Sequence, residues 1–367
     1  MEASNIGIAK KEVLKRLICE QIGNGEYKVG DAIPGERVLS LKHNMARMTV
    51  RMAIDALIND RILKRSQGKG TFVTGEGIVS PYVTPGTMQS RTVSVFLPGP
   101  GDGILVSKGV LEAVYEHMSE SGHLVNVHYF TGRNFVQEVR SVSELSPAAL
   151  VIWYQDSAQN RMLLRELKEK NIRFVLVDCY PSDSDYSYAV SDNFAGAYEM
   201  TKHLYELGHR KISYITDGSN ASSLMERRDG FIRAASDLKI GKPEIIEISP
   251  DGMEDRQFLK VLKKIRANGS TALFAYNDVL AIRAVGLLKE MKLRVPEDMS
   301  VAGFDDVDMA KHISVPLTTM SQDFYGMGSR AAEMIMDGIN GKPSSSTERQ
   351  CKLGTVLKRR MSCTSPE

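Results

Sequence analysis

Arg47 and Arg51 stand four residues apart in RMTVRMAIDALIND, a run whose Val50, Ala53, Ile54, Leu57 and Ile58 recur at helical spacing. The two guanidinium groups therefore share a helical face while the apolar residues hold the opposite face in a core. A guanidinium is a rigid fork of donors that matches the O6 and N7 edge of guanine, in a major groove wide enough for a helix. Thr49 and Arg37 can hold phosphates nearby, and Lys69, in the basic, glycine-rich stretch Gln67-Gly68-Lys69-Gly70, can reach the flanking backbone or minor groove. A second chemistry lies far along the chain. The apolar strand Thr271 to Ala275 passes through Asn277-Asp278 into a helix, and a strand from Met299 to Phe304 ends on Asp305-Asp306. This βαβ unit carries carboxylates at its strand ends, outside which open α/β sheets bind ligands.

The elements that must hold these groups read as follows. Val13, Leu14, Leu17, Ile18 and Ile22 form the stripe of a first helix, which Gly23 and Gly25 end. A second helix is expected near Pro34, whose fixed φ suits a first helical turn, and a third from Arg47. Ile62 to Arg65 and Thr71 to Val73 then read as a hairpin, so residues 1–74 form a winged helix. Residues 75–91 have no periodicity and are rich in glycine, proline and small polar residues, the composition of a linker. From Thr92 strands alternate with helices: strands at Thr92–Leu97, Leu124–Tyr129, Ala149–Trp153 and Phe174–Asp178, with helices near Ser107–Ser121, Asn134–Val142 and Gln159–Lys170. That alternation predicts a doubly wound parallel sheet within residues 92–367. It restarts at Val190-Ser191-Asp192-Asn193, as a second lobe would, with crossovers expected near Val190, Thr319 and Lys342.

Charge separates the same regions. Residues 1–74 hold 13 Lys+Arg against 8 Asp+Glu, and the remainder holds 34 against 37, so a basic head sits on a mildly acidic body. Such a distribution suits nucleic acid at one end only. The four cysteines are scattered without metal spacing, so neither a disulfide framework nor a metal is expected, and no cofactor motif appears. Gly99-Pro100-Gly101-Asp102-Gly103 sits where a dinucleotide loop would, but Ile104 and Val106 stand where its last glycine is needed. There is no catalytic cluster, no signal peptide and no apolar run of the roughly 18 residues that a span requires, which together predict a cytoplasmic non-enzyme.

Two resemblances join these readings. Gly30-Asp31, Ile33-Pro34-Gly35-Glu36-Arg37, Arg47-Met48-Thr49-Val50-Arg51 and Gly68-Lys69-Gly70-Thr71-Phe72-Val73 together resemble the GntR-type winged-helix DNA-binding domain. Gly35 stands where members usually have Ser, and Ala46 where they have Ser or Thr, which removes a hydroxyl able to bond phosphate or the helix N-terminus. Asn277-Asp278, Val295-Pro296-Glu297-Asp298, Ser300-Val301, Gly303-Phe304-Asp305-Asp306 and Pro316-Leu317-Thr318-Thr319 resemble the effector domain of LacI/GalR regulators, which shares the core of periplasmic sugar-binding proteins. Turn chemistry accounts for Pro296, Asp298 and Asp305.

The second resemblance implies that Asp178, Arg227 and Asp278 touch the ligand and that Asp102 lies in the first ligand-facing loop. Carboxylates accept from the hydroxyls of a polyol, a guanidinium donates to its oxygens, and Trp153 or Tyr154 can cover its C–H face, unless Trp153 is a core residue at a strand end. The implied function is a ligand-responsive, DNA-binding regulator, a repressor released from its operator by a sugar such as a pentose. A homodimer on a two-fold site is expected. A purine or phosphosugar corepressor remains as an alternative. An enzyme or binding protein on the same lobes is a further one, which would have no use for a winged helix.

Overall fold

The computed structural model describes residues 11, 13–15, 17–19, 21–22, 26–43, 45–59, 62–66, 70–74, 91–99, 102–131, 134–182, 185–241, 243–248, 254–342 and 349–366. The chain divides into two compact units, Met1–Thr92 with Glu144–Ser146, and Val93–Ser143 with Pro147–Glu367.

In the head, α1 is helical at residues 13–15, 17–19 and 21–22, and is followed by β1 (Ala32–Ile33), α2 (Glu36–Lys42), α3 (Arg47–Asn59), β2 (Leu63–Ser66) and β3 (Gly70–Val73). The strands form an antiparallel sheet in the order β1-β3-β2. Leu14, Ile18, Leu39, Val50, Ile54 and Leu57 close the core beneath it, so both helices of the helix-turn-helix are anchored by their apolar faces. Val13 departs from the expected stripe and is exposed. Pro34 lies ahead of α2 rather than in its first turn, because Gly35 takes the N-cap in an extended conformation and without a side-chain bond. β1 was beyond any periodicity argument, since two residues make no period. Lys69 and residues 75–90 of the expected linker lie outside the described residues.

The sensor begins with β4 (Thr92–Pro98), α4 (Asp102–Glu120), β5 (Leu124–Phe130), α5 (Phe135–Ser143), β6 (Ala149–Trp153), α6 (Ala158–Glu169), β7 (Phe174–Val177) and β8 (Tyr188–Ser191). A second lobe follows, with α7 (Asn193–Glu206), β9 (Ile212–Thr216), α8 (Ser222–Asp237), β10 (Glu244–Glu247), α9 (Asp255–Ala267), β11 (Ala272–Ala275), α10 (Asp278–Glu290), β12 (Ser300–Asp305), α11 (Met309–His312) and β13 (Thr318–Ser321). The chain returns to the first lobe for α12 (Phe324–Ile339) and β14 (Gln350–Leu353), then ends its last strand, β15 (Val356–Lys358), in the second.

The sheet orders are β14-β8-β7-β6-β4-β5 and β10-β9-β11-β12-β13-β15. β15 pairs antiparallel to β13, an edge departure from the all-parallel expectation. In each sheet the order reverses once, beside β4 and β6 in the first and beside β9 and β11 in the second, and these switch points are where a doubly wound fold leaves a crevice. The lobes are joined after Ser191, after Ser321 and at residues 354–355. Lys342 marks no crossover: it ends α12, with its ammonium on Asp337 at 2.9 Å. α4 starts five residues earlier than Ser107, directly out of the glycine-rich segment.

Candidate functional site

On the head, Arg37, Arg47 and Arg51 are all exposed, and Thr49 is partly buried on the same helix as the last two. Burial of Val50, Ala53, Ile54 and Leu57 fixes the rotation of α3, which is what turns its charged side outward. Arg51 is not free. Its Nε lies 3.4 Å from a carboxylate oxygen of Glu36, the first residue of α2, and Arg65 on β2 reaches both Glu36 at 3.3 Å and Asp55 at 3.0 Å. These exposed pairs link α2, α3 and the hairpin at little energy, about 0–1 kcal/mol each.

In the sensor, a cavity of about 360 Å³ lies at the carboxyl ends of both sheets, where the switch points fall. The first lobe contributes Trp153, Tyr154, Asp156 and Asp178, and α12 adds Phe324, stacked on Trp153 with ring centroids 6.1 Å apart. From the second lobe come Asp217, Arg227, Tyr276, Asn277, Asp305 and Gln322. Arg227 is the organiser. Its Nε donates to Asn193 (2.8 Å), one terminal nitrogen donates to the Tyr276 carbonyl (2.6 Å), the other lies 3.3 Å from Asp305, and its plane sits 3.8 Å over the Phe304 ring. Burial pushes the Asp178 carboxyl up to about 7, opposed by Arg227 and aided by the charge of Asp305. Asp305 is pushed up to about 6 by burial, again opposed by Arg227. Both residues leave their strands with positive φ, 71° and 117°, so unusual backbone is held where the carboxylates enter the cavity.

Asp156 is set differently. Arg161 grips both its oxygens, at 2.8 and 2.6 Å, and Tyr154 donates to it at 2.8 Å. The hydrogen bond from Arg161 holds the Asp156 carboxyl below the usual carboxylate range, despite its burial. Beside the cavity, Glu226 on α8 accepts from both Tyr180 and Lys352 of the first lobe at 2.6 Å, a clasp between the lobes.

A second hollow of about 490 Å³ sits by Lys211, Glu244 and Asn268, at the amino ends of strands. That end is wrong for a ligand crevice. Its carboxylate is also already taken by Ser213, Ser270 and Asn268.

The structure thus brings Trp153, Tyr154, Asp178 and Arg227 together, and parts them from Asp278. That carboxylate is wholly buried and does not line the cavity; it accepts from the Thr319 hydroxyl at 2.6 Å and the Val307 amide at 3.0 Å. A Cβ on Gly303 would strike it, so the Gly303 of the Gly-Phe-Asp-Asp motif serves this packing. Its neighbour Asn277 faces the cavity instead and caps α10 through Leu280. Asp102 opens α4, with its side chain outside the described residues. Trp153 is both a core residue, 6% exposed, and a wall of the cavity.

Asp305, assigned above to turn chemistry, faces the cavity and pairs with Arg227, as the strand-end position of Asp305-Asp306 allowed. Asp298 does serve a turn, bound twice by the Arg294 side chain at 3.0 and 3.1 Å. Asp156 and Phe324 carried no signal: their loops meet the cavity only through folding. His209 is buried between Thr271 and Ser300, and burial lowers its imidazole to about 4, a structural role.

Residues 10–73 match the bacterial regulatory proteins of the gntR family, and residues 201–363 match the periplasmic binding protein-like domain. The chain thus joins a head that matches the gntR family to a sensor that matches the periplasmic binding protein-like domain. The arabinose metabolism transcriptional repressor of Halalkalibacterium halodurans is 28% identical over 90% of this chain and 88% of its own. The HTH-type transcriptional repressor PurR of Aliivibrio salmonicida is 32% identical over 56% of this chain and 61% of its own. In fold, a LacI family transcriptional regulator from Enterococcus faecium with bound ribose superposes with a TM-score of 0.65 at 20% identity, over 75% of this chain and all of that one. This chain is a DNA-binding, ligand-responsive transcriptional repressor, and not an enzyme. Among its described residues no helix is long and apolar enough to cross a membrane.

Proposed function

We propose that this repressor is a cytoplasmic homodimer whose effector is a neutral monosaccharide, with a pentose first among candidates, and that the sugar releases it from a pseudo-palindromic operator. The observation that carries the ligand class is the charge of the cavity. Asp156, Asp178, Asp217 and Asp305 stand against the single guanidinium of Arg227 among the described lining residues, and that guanidinium is already bonded to Asn193, Tyr276 and Asp305. A phosphosugar would bring two negative charges to carboxylates with no spare cation, which argues against that alternative. Hydroxyl donors suit the same oxygens, and the Trp153–Phe324 pair offers an apolar wall for a sugar's C–H face. The arabinose-named relative, matched along most of both chains, supports the pentose.

The proposed domains are a winged helix over residues 1–74, a linker over 75–91 and the sensor over 92–367. Arg47 and Arg51 read bases, while Arg37, Thr49 and Lys69 hold the backbone; Trp153, Tyr154, Asp178, Arg227 and Asp102 attend the sugar. Closure of the two lobes on the sugar, across three short joins and the Glu226 clasp, changes the spacing of paired heads.

A thermal-shift panel of neutral sugars, purines and phosphosugars tests the ligand class, since an effector at a hundred times its Kd stabilises by about 2.7 kcal/mol. A response to phosphosugars or purines alone overturns the neutral-sugar reading. Reciprocal titrations test the coupling: the factor by which sugar weakens operator binding must equal that by which operator weakens sugar binding, typically about 5 to 150-fold. Unchanged operator affinity with sugar demonstrably bound rules out release.

A further inference from the structure

On the first two turns of α3 the residues turned most directly away from the head's core are methionines, and Asp55 and Asn59 continue that side towards the helix end. Successive helical positions turn by about 100°, and the mean direction of the buried Val50, Ala53, Ile54 and Leu57 sets the inward side. On that wheel Met48 lies within about 10° of straight outward and Met52 within about 30°, whereas Arg51 is about 70° away and Arg47 about 110°. Their exposure agrees: Met48 is 65% and Met52 48% exposed. Asp55 shares the outward side but is occupied by Arg65 at 3.0 Å. The arginines thus approach a groove from one flank, and the centre of the face is an apolar pair one turn apart. These two large apolar side chains in the N-terminal half of α3 belong to no core cluster among the described residues.

Double-stranded DNA is the occupant that the surroundings favour, because the face is flanked by Arg37, Arg47 and Arg51 on a basic, gntR-type domain. In a major groove the apolar feature that such a side chain can meet is the C5-methyl of thymine. We propose that Met48 is a specificity-determining residue of the head, packing on a thymine methyl at the centre of each half-site, with Met52 closing the same contact. The proposal rests on the placement of α3 in the major groove. It adds a preference for thymine to the guanine preference of the two arginines. A flexible thioether can follow the methyl without demanding hydrogen-bond geometry.

The test uses the full chain and a duplex selected by it from a random-sequence pool. Each thymine of the selected site is replaced in turn by deoxyuridine, which deletes the methyl and leaves every hydrogen-bonding group. At one thymine per half-site the parent should lose about three- to fivefold in affinity, the worth of one buried methyl. Met48→Ala should bind the thymine duplex more weakly and no longer distinguish the two duplexes, while Met48→Leu should restore the distinction. Equal affinity of the parent for all the thymine and deoxyuridine duplexes overturns the proposal, as does Met48→Ala discriminating as well as the parent. If Arg47→Ala and Arg51→Ala also leave binding unchanged, the placement of α3 itself fails, an outcome distinct from the loss of the methyl contact alone. Thermal unfolding of Met48→Ala should match the parent, since the side chain packs on nothing in the core.

Discussion

The two binding regions proposed for this repressor are built on opposite plans. The DNA face offers exposed side chains held by weak ion pairs at the surface of a small core, as Arg51 is by Glu36. The effector cavity offers side chains that are part of the core, as Arg227 is through Asn193, Tyr276, Asp305 and Phe304. The difference matters for what a mutation reports. At the face, function and stability separate; in the cavity, the groups that would touch a ligand also hold the lobe together. A shared network of buried polar groups is high in stakes, because every member removed strands another.

The largest expected effect follows from that plan. Arg227→Ala strands Asp305 and Asn193 in a buried setting, so the sensor should lose about 3–5 kcal/mol in chemical denaturation, as when one partner of a buried pair is removed. A variant that keeps parental stability while losing the sugar response would break the comparison, since Arg227 would then be a ligand contact and little else. Asp278→Ala comes next. It leaves the Val307 amide and the Thr319 hydroxyl without their acceptor, at about 1–3 kcal/mol for each group left unsatisfied. Because Asp278 does not line the cavity, calorimetry on the folded protein should find sugar affinity little changed.

Asp278 also marks the limit of what could be read from the residues alone. Strands, helices and the two-lobed alternation were legible, because period and turn chemistry act over a few residues: the start of α3 and both ends of β6 fall at the residues expected. The orientation of a side chain at a strand end was not legible. Asp278 and Asn277 are neighbours in one turn, and their roles are exchanged between cavity and core by the close approach of Gly303, a contact across 25 positions in sequence. For the same reason Asp156 and Phe324 were missed and Asp305 was set down as turn chemistry. In the head the outward side of α3 was legible, because its apolar residues alone fix which side faces out.

Third in size are the face arginines. Arg47→Ala and Arg51→Ala should each weaken operator binding by about 1–3 kcal/mol, the worth of a bidentate base contact, in a gel-shift titration. Their unfolding midpoints should stay with the parent, since surface substitutions away from special features change stability by about 0.5 kcal/mol or less. A fall in stability as large as that of Arg227→Ala would erase the distinction between the regions.

A fourth expectation concerns pH and only the cavity. Asp178 and Asp305 titrate at about 7 and about 6 in the folded sensor, above the roughly 4 of a free carboxyl. The folded state therefore holds their protons more tightly than the unfolded one, and the stability they contribute is full below pH about 4 and lost as pH rises towards about 7. A sugar whose hydroxyls donate to the ionised carboxylates acts the other way. Its affinity should rise between pH about 5 and about 8 and should flatten in Asp178→Asn. A parent whose sugar affinity is flat across that range would remove the carboxylates from the ligand's contacts.

The smallest effect tests whether the exposed plan is as loose as its geometry implies. Glu36 accepts from Arg51 and Arg65 with all three side chains substantially in solvent, so Glu36→Gln should change stability by less than about 1 kcal/mol. To reach a base edge, Arg51 must leave Glu36, and the carboxylate also repels the phosphates that it would face. Replacing it should tighten operator binding, by about fivefold at most, which is the same 1 kcal/mol expressed as affinity. The gain should fade as salt rises from about 0.05 M to about 0.5 M, since both the pair and the repulsion are screened. Fluorescence anisotropy across that salt series decides the matter. Weaker binding by Glu36→Gln would mean that the pair aims Arg51 at its base rather than restraining it. The head would then share the cavity's economy, in which one charged group acts by holding another.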